Sequence, residues 1–332
     1  MKNKTFIIAE AGANHNRDFE QAKALIDVAK ESGADACKFQ TYSSETLYAK
    51  NTKGFGGVKD VGKLIKSIEL PREWQSDLKL YCDEVGIEFM STPFDELAVQ
   101  ELVDIGVNRI KIAGFESTDL RFVDMVASAG LPMVISLGIG SDFTIIPRIL
   151  DIANNRGIDD ITFLHANNAY PTPAEDVNLD TIKSLALDTR YRTGISDHTL
   201  STLTPALAVA AGASVVEKHF TLSKRLTGPD HPFALEPHQL KEMVDHIRYA
   251  ELCMGHKDGK LTESEMNFKK AQRSIVSKVD LKAGDVLSEE NITTMRPFFE
   301  TSISATEWSN TIGKTITQDL PALHTLDKNF VE

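Results

Sequence analysis

Eight short apolar runs rich in β-branched residues recur along the chain, near 5–10, 35–40, 87–91, 108–113, 132–136, 161–166, 191–196 and 214–219. Each reads as a β-strand. Segments with apolar residues at helical spacing separate them. Between Glu20 and Ser32, the residues Ala22, Leu25, Ile26, Val28 and Ala29 fall on one helix face, and Leu97 to Ile105, Phe122 to Ala129 and Leu203 to Ala211 repeat the pattern. Gly33, Gly86, Gly106, Gly130, Gly157 and Gly212 each follow a helical segment and precede a strand, where a C-terminal cap belongs. Eight strand–helix units in about 250 residues predict an α/β fold, a (β/α)8 TIM barrel over residues 1–254. A doubly wound open sheet is the competing architecture, because it needs no fixed strand count.

The connection from Tyr42 to Glu69 is long and contains Thr52-Lys-Gly-Phe-Gly-Gly, expected to form a mobile rim loop. The pattern changes after Met254. Residues 255–272 read as a polar linker, and 273–332 as a second, mostly-β domain. Its strand-like pieces are Ser274-Ile-Val-Ser, Ile292-Thr-Thr-Met-Arg and the tail after Gly313, with a turn at Lys282-Ala-Gly-Asp. A domain of about 60 residues buries little core alone and is expected to lean on something larger.

The 332 residues leave room for both domains. Charge narrows the partners: 36 Lys and Arg stand against 48 Asp and Glu, a net charge of −12. That balance argues against a nucleic acid or an anionic membrane, while a few local lysines still suffice for a phosphorylated substrate. Cys37, Cys82 and Cys253 match no zinc or redox spacing and point to reduced thiols in a cytoplasmic protein. The apolar run before Glu10 is too short for a signal peptide or a membrane span.

Barrel enzymes keep their chemistry at the C-terminal ends of the strands. Here the first strand ends in Glu10, the second carries Lys38 and Gln40 on one face, and the third ends in Ser91-Thr92-Pro93. The fourth carries Lys111, with Glu116 shortly after, and the fifth Ser136. The sixth runs into Asn168 and Tyr170. The seventh has Ser196 and His198 on one face with Asp197 on the other, and the eighth has Glu217 and His219 on one face. Strands that are otherwise apolar have no structural reason to gather lysines and carboxylates. Two imidazoles from neighbouring strand ends suit a divalent cation with open positions for substrate, and Asp197 is a candidate to orient one of them. The lysines suit a phosphate or carboxylate, or else pair with Glu10 or Glu217 as buried ions. Ser136-Leu-Gly-Ile-Gly lets backbone approach an anion, or simply turns. Arg296 in the C-terminal domain is by default a solvated charge.

At these residues the chain resembles the sialic acid (nonulosonic acid) synthase family. The resemblance rests on Ile7-Ile-Ala-Glu-Ala-Gly-Ala-Asn-His-Asn, Lys38-Phe-Gln-Thr-Tyr, Ser91-Thr-Pro-Phe-Asp, Tyr170-Pro-Thr-Pro, Gly194-Ile-Ser-Asp-His-Thr, Glu217-Lys-His-Phe-Thr and Gly228-Pro-Asp-His. The segment Arg273-Ser-Ile-Val-Ser-Lys-Val-Asp-Leu-Lys-Ala-Gly-Asp resembles that family's antifreeze-like SAF domain, a β-clip. The resemblance implies condensation of phosphoenolpyruvate with N-acetylmannosamine or a related acetamido aldose, giving a nine-carbon α-keto acid and phosphate. It implies that His198 and His219 hold the metal, Mn2+ foremost with Mg2+ or Co2+ as alternatives, and that Glu10 orients water or aldehyde or acts as base. Lys38, Thr92, Lys111, Ser136, Asn168 and Ser196 would bind phosphoenolpyruvate, and Gln40, Glu116, Tyr170 and Asp230 the sugar. Arg296 would reach the N-acyl group from the second subunit of a domain-swapped homodimer.

The chain departs from the family in places. Ala113-Gly-Phe-Glu stands where many sialic acid synthases have Gly-Ser-Gly-Glu, and Phe298-Phe299-Glu300 replaces a glycine-containing turn after Arg296. The alternatives are a pseudaminic or legionaminic acid synthase using a 6-deoxy diacetamido sugar, a metal-dependent aldolase, a non-catalytic sugar-binding homologue, and a Schiff-base aldolase acting through Lys111 or Lys218.

Overall fold

The computed structural model describes residues 4–52, 54, 58–139, 143–189, 191–255 and 259–332. The chain divides after Gly255 into two compact units. In the first, eight strands alternate with helices: β1 (Phe6–Glu10), α1 (Phe19–Glu31), β2 (Ala36–Thr41), α2 (Ser44–Leu47), α3 (Val61–Ile68), α4 (Gln75–Val85), β3 (Glu88–Pro93), α5 (Glu96–Asp104), β4 (Ile110–Ile112), α6 (Leu120–Ala127), β5 (Met133–Leu137), α7 (Ile145–Arg156), β6 (Ile161–Ala166), α8 (Asp180–Thr189), β7 (Arg192–Asp197), α9 (Thr204–Ala210), β8 (Val215–His219) and α10 (Pro237–Cys253). The strands run in the order β3-β2-β1-β8-β7-β6-β5-β4, with every hydrogen-bonded pair parallel. β3 and β4, the two ends of that order, lie side by side, so the sheet closes into a TIM barrel. No reversal of strand order occurs, which removes the open doubly wound sheet.

The alternation along each strand separates two cores. Ile7, Cys37, Phe39, Phe89, Ile135, Phe163 and Val216 face outward and pack under the helices. Ile8, Ala36, Met90, Val134, Leu164 and Val215 face inward and fill the lower barrel. Gly194 belongs to that inner layer, and a Cβ there would lie 2.0 Å from the Val215 carbonyl oxygen. Only glycine lets β7 approach β8 so closely.

Local chemistry sets the helix ends. Asp18 accepts from the Gln21 amide at the start of α1, and Asp95 from the Ala98 amide at the start of α5. Gly86 and Gly157 close α4 and α7 in the left-handed conformation that a C-cap requires. The long connection after β2 contains two helices, α2 and α3, that its glycines obscured. Lys53 and Phe55 to Gly57 of the predicted rim loop lie outside the described residues. No helix among the described residues is long and apolar enough to cross a membrane.

In the second unit, β9 (Ser274–Ser277) pairs antiparallel with β10 (Ile292–Met295). Isolated bridges such as Leu281 with Leu320 and Ile316 with Val331 hold the remainder. Ile275, Leu281, Leu287, Ile292, Ile303, Ile316, Leu320 and Leu326 form its core. Part of the sequence-predicted linker is ordered as a short helix, Glu263–Met266, opened by a capping box at Thr262.

Candidate active site

Above the inner apolar layer the same inward-facing positions turn polar. Two residues beyond Ile8 stands Glu10, beyond Ala36 stand Lys38 and Gln40, and beyond Met90 stands Thr92. Likewise Ser136 follows Val134, and Glu217 and His219 follow Val215. The barrel therefore floors its own mouth with charge. Glu10, Lys38, Gln40, Thr92, Lys111, Ser136, Asn168, Tyr170, Ser196, His198 and His219 all line one pocket at the C-terminal ends of the strands. Ala113, Gly114, Ala166 and Glu217 complete the lining.

The ionic floor is a network. Lys38 Nζ lies 2.8 Å from Glu10 Oε2 and 3.6 Å from Glu217 Oε2, and it donates to Thr92 Oγ1 at 2.9 Å. Lys111 Nζ donates to Ser136 Oγ at 2.7 Å and sits 3.8 Å from Glu217 Oε1. Ser196 Oγ donates to the same Glu217 oxygen at 3.0 Å, and Gln40 donates to Glu10 Oε1 at 2.7 Å.

Burial penalises every charge here, and the neighbours decide the outcome. Burial, reinforced by Glu217 and opposed by Lys38, raises Glu10 to about 7. Glu217 is also penalised by burial, yet Lys111 and Lys38 outweigh that and hold it below the usual carboxylate range. Burial lowers Lys111 to about 8, whereas Glu10 and Glu217 overcome burial at Lys38 and hold it above its ordinary value. Two carboxylates pushed in opposite directions are chemically suited to different tasks, one to exchanging a proton and the other to holding a fixed charge.

The histidines stand two residues beyond Ser196 and Glu217, with His219 in register with Glu10 of β1 and the ring centroids 5.7 Å apart. His198 Nδ1 donates to the Asn167 carbonyl oxygen at 2.6 Å, which leaves Nε2 with its lone pair. His219 Nδ1 has no hydrogen-bond partner among the described residues and lies 3.9 Å from Asp230 Oδ2. Burial lowers both histidines, His219 furthest, and so favours the neutral imidazoles that a metal requires. No group of three or more His, Cys, Asp or Glu suited to a metal occurs among the described residues. The two neutral imidazoles are donors of the kind a divalent cation takes, and a cation held by them would draw its remaining positions from substrate and solvent.

Other sequence-predicted residues fall at or beyond the edge. Asp230 Oδ2 accepts from the Ala13 amide at 3.1 Å beside His219, and burial raises its carboxyl. Glu116, on the loop after β4, does not line the cavity, and burial raises it too. Arg296 belongs to the second unit and is exposed.

Two expectations need correcting. Asp197 does not orient a histidine ring: it points away from the mouth to Lys218, and a backbone carbonyl from Asn167 orients His198 instead. Lys218 does not line the cavity, which removes it as a Schiff-base candidate.

Glu217, the ion-pair partner the sequence offered for the lysines, lies 3.6 Å from Lys38 and 3.8 Å from Lys111 and accepts from Ser196. The structure also adds an aromatic residue. Phe233 packs 5.1 Å from the His219 ring and 5.3 Å from Tyr170, and Tyr170 lies 4.2 Å from His198. The Ser136-Leu-Gly motif acquires a reason: a Cβ on Gly138 would lie 1.9 Å from Asn168 Oδ1, which accepts from the Ile139 amide at 2.8 Å.

A closed eight-stranded parallel barrel with its charged groups gathered at the strand ends is the architecture of a TIM-barrel enzyme. Residues 25–259 match the NeuB family and residues 272–332 the SAF domain. The chain belongs to the NeuB family. It is 39% identical to the N,N'-diacetyllegionaminic acid synthase of Legionella pneumophila, over 98% of this chain and 94% of that one. It is 36% identical to a pseudaminic acid synthase of Campylobacter jejuni, over 96% and 94%. The solved N-acetylneuraminic acid synthetase of Leptospira borgpetersenii, in complex with citrate, superposes with a TM-score of 0.74 at 32% identity, covering 80% of this chain and 90% of that one.

Proposed function

We propose that this protein condenses phosphoenolpyruvate with an N-acetylated aldose, giving a nine-carbon α-keto acid of the nonulosonic type and inorganic phosphate. The observation that carries the reading is the pair Lys38 and Lys111, buried in one floor among hydroxyl and amide donors. A small ligand bearing both phosphate and carboxylate needs such a set. The names of the relatives support the product class.

In this reading Lys38, Thr92, Lys111, Ser136, Asn168 and Ser196 bind phosphoenolpyruvate. Gln40, Glu116, Tyr170 and Asp230 meet the acceptor, and Arg296 reaches its N-acyl group from the SAF domain of the second subunit in a domain-swapped homodimer. His198 and His219 would hold a divalent cation, Mn2+ foremost, which when bound supplies Lewis-acid polarisation of the acceptor aldehyde. C3 of the enol attacks the aldehyde carbon, and the aldehyde oxygen takes up a proton to become a hydroxyl. The positive charge left at C2 captures a water oxygen, and phosphate then leaves by C–O cleavage, generating the keto group. Glu10 suits the removal of the water proton, since its pKa near 7 lets it both accept and release one at neutral pH.

The test is phosphate release from phosphoenolpyruvate with Mn2+ across a panel of 2-acetamido aldoses, with and without chelator. Chelator-sensitive release with one sugar is expected. No release with any sugar from folded protein would sink the proposal.

A further inference from the structure

Lys218 is buried on the face of β8 opposite Glu217 and His219, between the barrel wall and its surroundings. Its ammonium donates to Asp197 Oδ2 at 2.6 Å, to the Thr199 carbonyl oxygen, and to Thr199 Oγ1 at 3.3 Å. Asp197 in turn accepts from the Thr199 amide at 2.9 Å and from the Thr199 hydroxyl at 3.1 Å. These bonds close a turn with His198 at its apex. From the mouth side, Asn167 holds the His198 ring, and the His198 carbonyl oxygen accepts from the Thr172 amide at 2.9 Å. His198 is therefore gripped on both faces of the barrel wall, and the outer grip comes from the residue covalently next to His219.

A buried ion pair is weak evidence for stability, because apolar residues of similar size often serve a core as well. Its placement here has a different consequence. We infer that Lys218 is a positioning residue, tying the turn that carries His198 to the strand that carries His219 and so fixing the spacing of the two imidazoles. The inference rests on the proposed reading that this pair takes a divalent cation. Neighbours that orient metal ligands commonly change metal affinity by about 10–100-fold when lost.

The experiment is Mn2+ titration of chelator-treated full-length protein, read by the electron paramagnetic resonance of free Mn2+, with His219→Ala as the blank. Lys218→Met strands the Asp197 carboxylate and risks misfolding, so the decisive variant is Asp197→Asn with Lys218→Met, which buries no lone charge. Its Mn2+ Kd is expected to rise more than about tenfold while its metal-free Tm stays near that of the wild type. An unchanged Kd would overturn the inference. So would a Kd and a metal-free Tm that deteriorate together, since a purely structural lysine does that. Wild-type protein that takes up no Mn2+ would overturn the metal reading itself, and this inference with it.

Discussion

Lys38 Nζ lies 2.8 Å from Glu10 Oε2, and neither side chain is more than 3% exposed. Removing one member of so buried a pair leaves the other without compensation, at about 3–5 kcal/mol. Glu10 can escape part of that by taking up a proton, because burial already raises its pKa to about 7. Lys38→Met is therefore expected to lose about 3 kcal/mol in urea unfolding, at the low end of that range. It should also raise the KM for phosphoenolpyruvate. A loss below about 1 kcal/mol would mean that the pair behaves as an exposed one.

The floor also sets a pH profile. In the free enzyme Glu10 must be ionised to act as base, so kcat/KM should fall as pH drops through about 7. Lys111 must be charged to attract the anion. Its pKa is lowered by burial to about 8, so kcat/KM should fall again as pH rises through that value. A narrow bell is expected. Lys111→Arg should abolish the alkaline limb, because a guanidinium keeps its charge. A flat profile from pH 6 to 9 would remove both assignments.

His219→Ala is expected to abolish Mn2+-dependent turnover and Mn2+ uptake while the protein stays folded, since one imidazole cannot hold the ion as two do. Activity of that variant at the wild-type level would refute the metal assignment.

Gly138→Ala should damage the site without touching charge. The new Cβ would lie 1.9 Å from Asn168 Oδ1, so the amide must move and give up its bond from the Ile139 amide. The KM for phosphoenolpyruvate should rise roughly tenfold, equivalent to about 1.4 kcal/mol. Steady-state kinetics on variant protein with a wild-type circular dichroism spectrum measures it. An unchanged KM would take Asn168 out of substrate binding.

Arg296→Ala tests the proposed contribution of the SAF domain. The apparent KM for the acceptor should rise at least about tenfold, the scale of one lost charge-assisted contact. The KM for phosphoenolpyruvate should hold, and light scattering should report the same mass as for the wild type. An unchanged acceptor KM would mean that the Phe298-containing loop has left the site.

The period-two pattern announces the barrel because a closed sheet buries both faces of every strand, and its inner face has only two uses. Positions such as Ile8 and Val215 can fill the interior, and Glu10 and Glu217, two residues further on, are too costly to bury without partners. Two residues past the apolar inner positions lie Glu10, Lys38, Thr92, Ser136, Ala166 and Glu217 of the cavity lining. The helices α2 and α3 were hidden because the long connection is punctuated by glycines, and the linker helix because it is one turn long.

Strand-end chemistry and its order around the mouth follow from the sequence alone, because strand alternation and parallel connection leave each such side chain a single place to point. What the tertiary structure decided is which groups touch. That Asn167 offers a carbonyl to His198 and that Gly138 makes room for Asn168 depend on backbone atoms and loop paths with no signature in residue type. The opposite shifts of Glu10 and Glu217 were equally invisible. The two are the same kind of acid on adjacent strands, and Glu217 is set apart by facing both Lys111 and Lys38 and accepting from Ser196.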